Sequence, residues 1–169
     1  MSFFPEGTRR PIVLGPGEGH PVVGPTAQPM FIEADSADTH PAYAAIEYRD
    51  APGAVGPPAH VHHHHEEAFL VIEGELTLLL DDTTVTVGPG GFALVPRGTV
   101  HRPSNASTAV TRFIFVTSPP MEGFFLEMQE LLQRTDSHPS VTELTDLGAK
   151  WDSNFVDLGP AETVLMHNE

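Results

Sequence analysis

The chain has 169 residues, with eight basic side chains against twenty-three acidic ones and a net charge of −15. That length suits one domain with a small appendage, and the acidic balance repels nucleic-acid backbones and anionic membranes, so neither is an expected partner. The absence of cysteine excludes disulfides, thiolate nucleophiles, Cys-ligated zinc and iron–sulfur clusters, and Lys150 is the one lysine open to Schiff-base chemistry.

In chain order, the opening Met-Ser-Phe-Phe-Pro-Glu has no basic region followed by an apolar stretch. No run approaches the ~18 apolar residues of a membrane span. A soluble, cytoplasmic protein is therefore expected. Short β-branched and aromatic runs follow: Ile12–Leu14, Met30–Glu33, Tyr43–Tyr48, Phe69–Glu73, Leu76–Leu80, Val85–Val87, Phe92–Val95 and Val110–Thr117. Closely spaced short strands with turn residues between them predict a β-sandwich or barrel. Asp81-Asp82 predicts a tight hairpin, and Gly88-Pro89-Gly90-Gly91 a second break.

The pattern changes after Pro119-Pro120. Phe124, Phe125, Met128, Leu131 and Leu132 recur at helical spacing with polar residues between them. A shorter helix is signalled by Ser140-Val141-Thr142-Glu143, a capping-box spacing, with Gly148 as its expected stop. Residues 1–118 thus form a β unit with N-terminal strands, and residues 119–169 a helical appendage packed on it. Extended strands within residues 10–33 need hydrogen-bond partners, which predicts a homodimer.

Ten histidines are present, five of them within residues 60–65. In a strand, alternate side chains share a face, so His60 and His62 project together about 7 Å apart along the backbone. Two imidazoles at that separation can lean onto one metal ion at ~2.0–2.1 Å. Either Glu66 or Glu67 could add a carboxylate oxygen, and His101 lies just after another predicted strand. His20, His40, His138 and His167 have no partner pattern and read as solvent-facing or structural.

The segment Gly56-Pro57-Pro58-Ala59-His60-Val61-His62, then Glu67 and Gly74, resembles the first motif of the cupin superfamily. Gly90, Pro96, Gly98, His101 and Asn105 fill every position of its second motif. The resemblance implies an all-β, conical antiparallel barrel of jelly-roll type holding one metal through His60, His62, Glu67 and His101. Gly74 and Gly98 are expected at turns that need φ > 0 or a close backbone approach. His62-His63-His64 offers a competing register and Glu66 competes with Glu67; the interval to Gly74 favours Glu67, and Pro57-Pro58 favours His60 and His62. On a regular strand His64 would share the face of His60 and His62, behind the ligands, while His63 and His65 would face outwards.

Four protein ligands in an octahedral shell leave two positions open, which suits catalysis. Mixed imidazole and carboxylate donors suit Fe, Mn, Co, Ni, Cu or Zn alike. Glu67 is the candidate catalytic residue, able to accept a substrate proton. The resemblance extends to bacterial quercetin 2,3-dioxygenases, which implies a metal-dependent dioxygenase that opens a flavonol or similar aromatic enol with O2 and loss of CO. Tyr48, Phe69, Phe113 and Phe115 are the candidate pocket residues, and Phe124, Phe125 and Met128 either cap the barrel mouth or pack outside it. The alternatives are a metal-dependent cupin lyase, isomerase or decarboxylase working without O2, or a non-catalytic small-molecule binder.

Overall fold

The structure is a computed structural model that describes residues 11–24, 29–134 and 139–157. It contains β1 (His20–Val23), β2 (Pro29–Ala34), α1 (Ser36–Thr39), β3 (Ala44–Asp50), β4 (His60–Val61), β5 (Glu66–Glu73) and β6 (Leu76–Leu80). There follow β7 (Thr83–Val87), β8 (Phe92–Val95), β9 (His101–Ser104), β10 (Thr111–Ser118), α2 (Glu122–Gln133), α3 (Val141–Lys150) and β11 (Asn154–Phe155).

The strands make two antiparallel sheets, β1-β2-β3-β10-β5-β8 and β11-β4-β9-β6-β7. This is the jelly-roll arrangement of the cupin fold, although no ladder among the described residues closes the two sheets into a barrel. The larger sheet is built on period-two burial. Thr111, Phe113, Phe115 and Thr117 of β10 are buried while the residues between them are partly exposed. Each has an inward neighbour at the same level on the flanking strands. Phe113 lies opposite Tyr48 and Val71, Phe115 opposite Ile46 and Phe69, and Thr117 opposite Ala44 and Glu67. Leu76 and Leu78 of β6 are fully buried and complete the core from the second sheet. Alternation of this kind puts one face of each sheet in the core, and a one-residue slip would move every aromatic to the solvent side.

Turn chemistry sets the register. β6 and β7 pair from Leu76↔Val87 to Leu80↔Thr83 about Asp81-Asp82, as predicted, and Asp81 takes φ 51°. Gly74 has φ 72°, and an added Cβ would run into the Val110 carbonyl, so both conformation and space demand glycine. Gly98, at φ 83°, also has the left-handed backbone expected of it.

Several expectations are corrected. Ile12–Leu14 is not a strand; these residues lie outside both sheets with exposed side chains. β2 is hydrogen-bonded to β1 on one side and β3 on the other, so the strand edge that the expectation of a homodimer rests on is the outer edge of β1. Residues 10 and 25–28 lie outside the described residues. Gly148 does not stop α3, which runs on to Lys150. It is buried within the helix, where an added Cβ would meet the Ser153 carbonyl. The capping box at its start is present, with the Ser140 side chain accepting from Glu143 N and the Glu143 side chain from Ser140 N.

Asn105 locks the end of the second motif. Its Nδ2 donates to the carbonyls of Asp50 (3.3 Å), Ala51 (2.9 Å) and Ala109 (2.7 Å), while its Oδ1 accepts from Ser107 N and Oγ. The side chain is fully buried, so truncation orphans several polar groups at once. Asn105→Ala is expected to lower stability by about 3 kcal/mol or more in urea denaturation; a loss below about 1 kcal/mol would show these contacts to be dispensable.

Candidate functional site: a histidine–glutamate cluster in an aromatic cavity

His60 of β4 and His101 of β9 are directly paired across the smaller sheet, and His62 follows one residue beyond β4. Glu67 comes from the opposite sheet, in the row that continues into Phe69 and Val71. The two sheets therefore bring all four side chains together, and all four are buried. The ring centroids of His60 and His101 are 4.4 Å apart, of His60 and His62 4.9 Å, and of His62 and His101 5.2 Å. Glu67 Oε2 lies 3.2 Å from His101 Nε2, and Oε1 lies 3.4 Å from His62 Nε2.

The outer nitrogen of each ring is tied to a backbone carbonyl. His60 Nδ1 donates to Pro58 O (2.9 Å), His62 Nδ1 to Asp152 O (2.7 Å) and His101 Nδ1 to Thr99 O (3.0 Å). A carbonyl only accepts, so each Nδ1 carries the proton and each neutral ring presents its Nε2 lone pair to the interior. His62 Nε2 is buried with no hydrogen-bond partner among the described residues. An imidazole lone pair facing a carboxylate oxygen is repulsive unless a cation, a proton or a metal ion, lies between them. Ligand atoms of His60, His62 and His101 all lie within 4.8 Å of one another, close enough for small shifts to bring them onto one ion. This three-histidine site can hold a metal, and its donors fit one.

The electrostatics follow from burial and from this mutual proximity. Burial, reinforced by the charge of His101, pushes His60 down to about 3, so its ring stays neutral. Burial alone would raise the Glu67 carboxyl, but His101 and His62 outweigh it and hold the group well below the usual carboxylate range. Burial disfavours charge on His62 too, and the adjacent Glu67 carboxylate reverses that and raises it.

The rest of the histidine tract behaves differently from the expectation of a regular strand. β4 ends at Val61 and the chain bends at His63 and His64, both exposed, so His64 does not lie behind the ligands. His65, expected to face outwards, is half-buried, with its ring 5.9 Å from that of His62. The organiser is Asp152, a residue without a local signal in the sequence. Its Oδ2 accepts from His64 N (2.6 Å), His65 N (3.2 Å) and His65 Nδ1 (3.1 Å), while its carbonyl holds His62. β11 extends this clamp by pairing with β4, and Asn154 Nδ2 reaches Val61 O and Asp152 Oδ1. Glu66, on the face of β5 opposite to Glu67, is only partly buried. His20 and His40 are exposed, as expected, and His138 and His167 lie outside the described residues.

A cavity of about 680 Å3 opens from His60 and Glu67. Tyr48, Phe69, Phe113 and Phe115 all line it, with Tyr48 stacked on Phe113 at 5.4 Å and 8° between planes. Met121, just before α2, and Phe124, Phe125 and Met128 of α2 close it, so the helix caps the cavity. The volume and apolar lining suit a ring-shaped small molecule.

The cavity also holds Asp50, 2% exposed at the inward-facing end of β3. The contrast with its neighbour is instructive. Glu47, on the outer face of β3, is equally buried but bonded to Arg49 (2.6 Å) and Arg112 (2.5 Å), which overcome the effect of burial and lower it. Asp50 Oδ1 has no partner among the described residues, and burial pushes the carboxyl up to about 7. A group whose folded-state value lies above its unfolded one costs stability as pH rises through the interval between them. Asp50→Asn does not titrate, so its stability relative to the parent should grow between about pH 4 and 7, by up to about 4 kcal/mol, and then level off. Urea denaturation at several pH values reads this directly, and a constant difference would contradict it.

Residues 46–117 match the family described as Cupin domain. Among curated proteins, the chain is 40% identical over 42 residues to quercetin 2,3-dioxygenase of Bacillus subtilis (strain 168), covering 25% of this chain and 12% of that one. It is 37% identical over 62 residues to oxidoreductase OpS7 of Beauveria bassiana (strain ARSEF 2860), covering 36% of this chain and 20% of that one. The chain thus matches no more than a fifth of the length of either of these relatives. The solved structure of the polyketide cyclase RemF from Streptomyces resistomycificus shares the fold, with a TM-score of 0.56 and 24% identity over 66% of this chain and 80% of that one. With both motifs in place between two antiparallel sheets, residues 46–117 match the cupin domain, and the chain resembles quercetin 2,3-dioxygenase over 42 residues.

Proposed function

We propose that the chain binds one divalent metal ion through His60, His62, Glu67 and His101 and uses it for oxygen-dependent ring cleavage of a flavonol or similar aromatic enol. The observation that carries this reading is the convergence of three carbonyl-tethered imidazoles and a buried carboxylate at the wall of an aromatic cavity. A bound divalent ion would supply Lewis acidity, favouring the ionised form of a substrate hydroxyl.

The chain's own residues do the remaining work. Glu67, held ionised and buried, is placed to take the hydroxyl proton of an enol lying against the histidines. Phe69, Phe113, Phe115 and Tyr48 provide flat apolar walls that orient a planar ring and exclude water. α2 covers the cavity with Phe124 and Phe125, which shields a reactive anion from solvent protons. In the overall reaction a flavonol and O2 become a ring-opened ester and CO. The similarity to the Bacillus subtilis enzyme over 42 residues supports the oxygen-dependent version.

Metal-stripped protein reconstituted separately with Fe, Mn, Co, Ni, Cu and Zn should consume oxygen on addition of quercetin with at least one of these ions, as read by an oxygen electrode and CO release. Turnover under argon would instead favour a lyase, isomerase or cyclase, and saturable binding without product a non-catalytic binder. His101→Ala is expected to weaken metal binding by on the order of 100-fold or more, measured by chelator competition. Its cooperative unfolding should persist, because the aromatic core lies beyond the ligands. Complete unfolding of His101→Ala would make the metal a structural element.

A further inference from the structure

The four-residue cluster is not the sole polar feature of the cavity. Asp50 lines the same space as His60 and Glu67, at the end of a strand whose other inward residues are Ala44, Ile46 and Tyr48. Its backbone is fixed rather than adaptable. Asp50 pairs with Thr111 across β3 and β10, and its carbonyl accepts from Asn105 Nδ2. The carboxyl group is therefore held in place from behind while its Oδ1 has no partner among the described residues.

An arrangement of this kind does not stabilise the fold. A buried carboxyl oxygen without a donor among the described residues carries a desolvation cost. The next carboxylate on the strand, Glu47, has two guanidinium partners, so the local structure is able to satisfy such a group where stability is the sole requirement. A ligand in the cavity can bring the donor that Asp50 Oδ1 lacks among the described residues. The donor's chemistry is constrained by its surroundings, since Tyr48, Phe113, Val55 and Pro103 also line this cavity. An ammonium group would lose its hydration shell there, whereas a phenolic hydroxyl brings its own apolar ring.

We propose that Asp50 is a second polar anchor of the cavity, accepting a hydrogen bond from a hydroxyl of a planar aromatic molecule whose other oxygen reaches the histidine–glutamate cluster. The inference deepens the reading of the cavity as an aromatic-enol site and rests on it. It narrows the ligand to aromatics carrying at least two separated oxygens. The raised pKa of Asp50 agrees with this, because a hydroxyl donor would restore to the ionised form the hydrogen bonding that burial removes.

The test compares 2,6-dihydroxynaphthalene with 2-naphthol, which share one ring system and differ by a single hydroxyl. Isothermal titration of the full chain as purified, under argon, gives both dissociation constants without reading oxygen chemistry. The dihydroxy compound is expected to bind the parent protein at least about 10-fold tighter. That ratio should fall to about 1 or 2 in Asp50→Ala and stay intermediate in Asp50→Asn, which keeps an acceptor but no charge. An unchanged ratio in a folded Asp50→Ala overturns the proposal, as does failure of both naphthols to bind. If Asp50→Ala does not fold, Asp50→Asn decides by the same ratio. Unfolding of both variants would make Asp50 structural and overturn the proposal too. A failed oxygen assay with the naphthol ratio intact would overturn only the dioxygenase reading, and turnover with an unchanged ratio only the role of Asp50.

Discussion

Three N–H···O=C bonds, each from an imidazole Nδ1 to a main-chain carbonyl, set the character of the interior. They choose the tautomer, fix the ring planes and leave three basic nitrogens facing one carboxylate in a place water scarcely reaches. Without these tethers the rings could turn and satisfy themselves by hydrogen bonding to Glu67 as donors, and the cluster would collapse into an ordinary buried network. With them, the interior keeps an unmet demand for a cation. The tethers run to carbonyls of Pro58 and Thr99, each two residues from its histidine, and to one distant carbonyl, that of Asp152. Two of the three are thus properties of the local turn, and the third depends on the completed tertiary structure.

The division explains what could be read in advance. His60, His101, Gly74, Gly98 and Asn105 sit in short segments whose spacing encodes their geometry, so their conjunction in space follows from the strands that carry them. Period-two alternation likewise puts Phe113 and Phe115 on one face, and the pairing of β10 with β3 adds Tyr48 to it. The hairpin at Asp81-Asp82 and the capping box at Ser140 are local too. Ile12–Leu14 misled because a β-branched run reads locally as a strand, whereas joining a ladder is decided by tertiary contacts, and this segment lies in neither sheet.

Other parts were hidden for a physical reason. Asp152 lies 90 residues from His62, and in a chain so rich in acids a lone aspartate carries no distinguishing pattern. The bend at His63 and His64 exists because that side chain recruits two successive backbone amides, which a regular strand would direct to a neighbouring strand. Asp50, followed by Ala-Pro-Gly, reads as the polar edge of a turn. The signal that would have exposed it is parity, since position 50 falls on the same face as Ile46 and Tyr48.

The clamp between β11 and β4 also bears on the order of assembly. During synthesis strands β1 to β10 emerge well before residue 152, so the carbonyl that orients His62 and the carboxylate that accepts from the loop amides behind it arrive only after them. A nascent chain can therefore collapse its aromatic core while one of the three imidazoles remains free to rotate. Maturation of the centre is coupled to docking of Asp152 and β11, so a partly synthesised chain would have a finished wall but an unfinished grip.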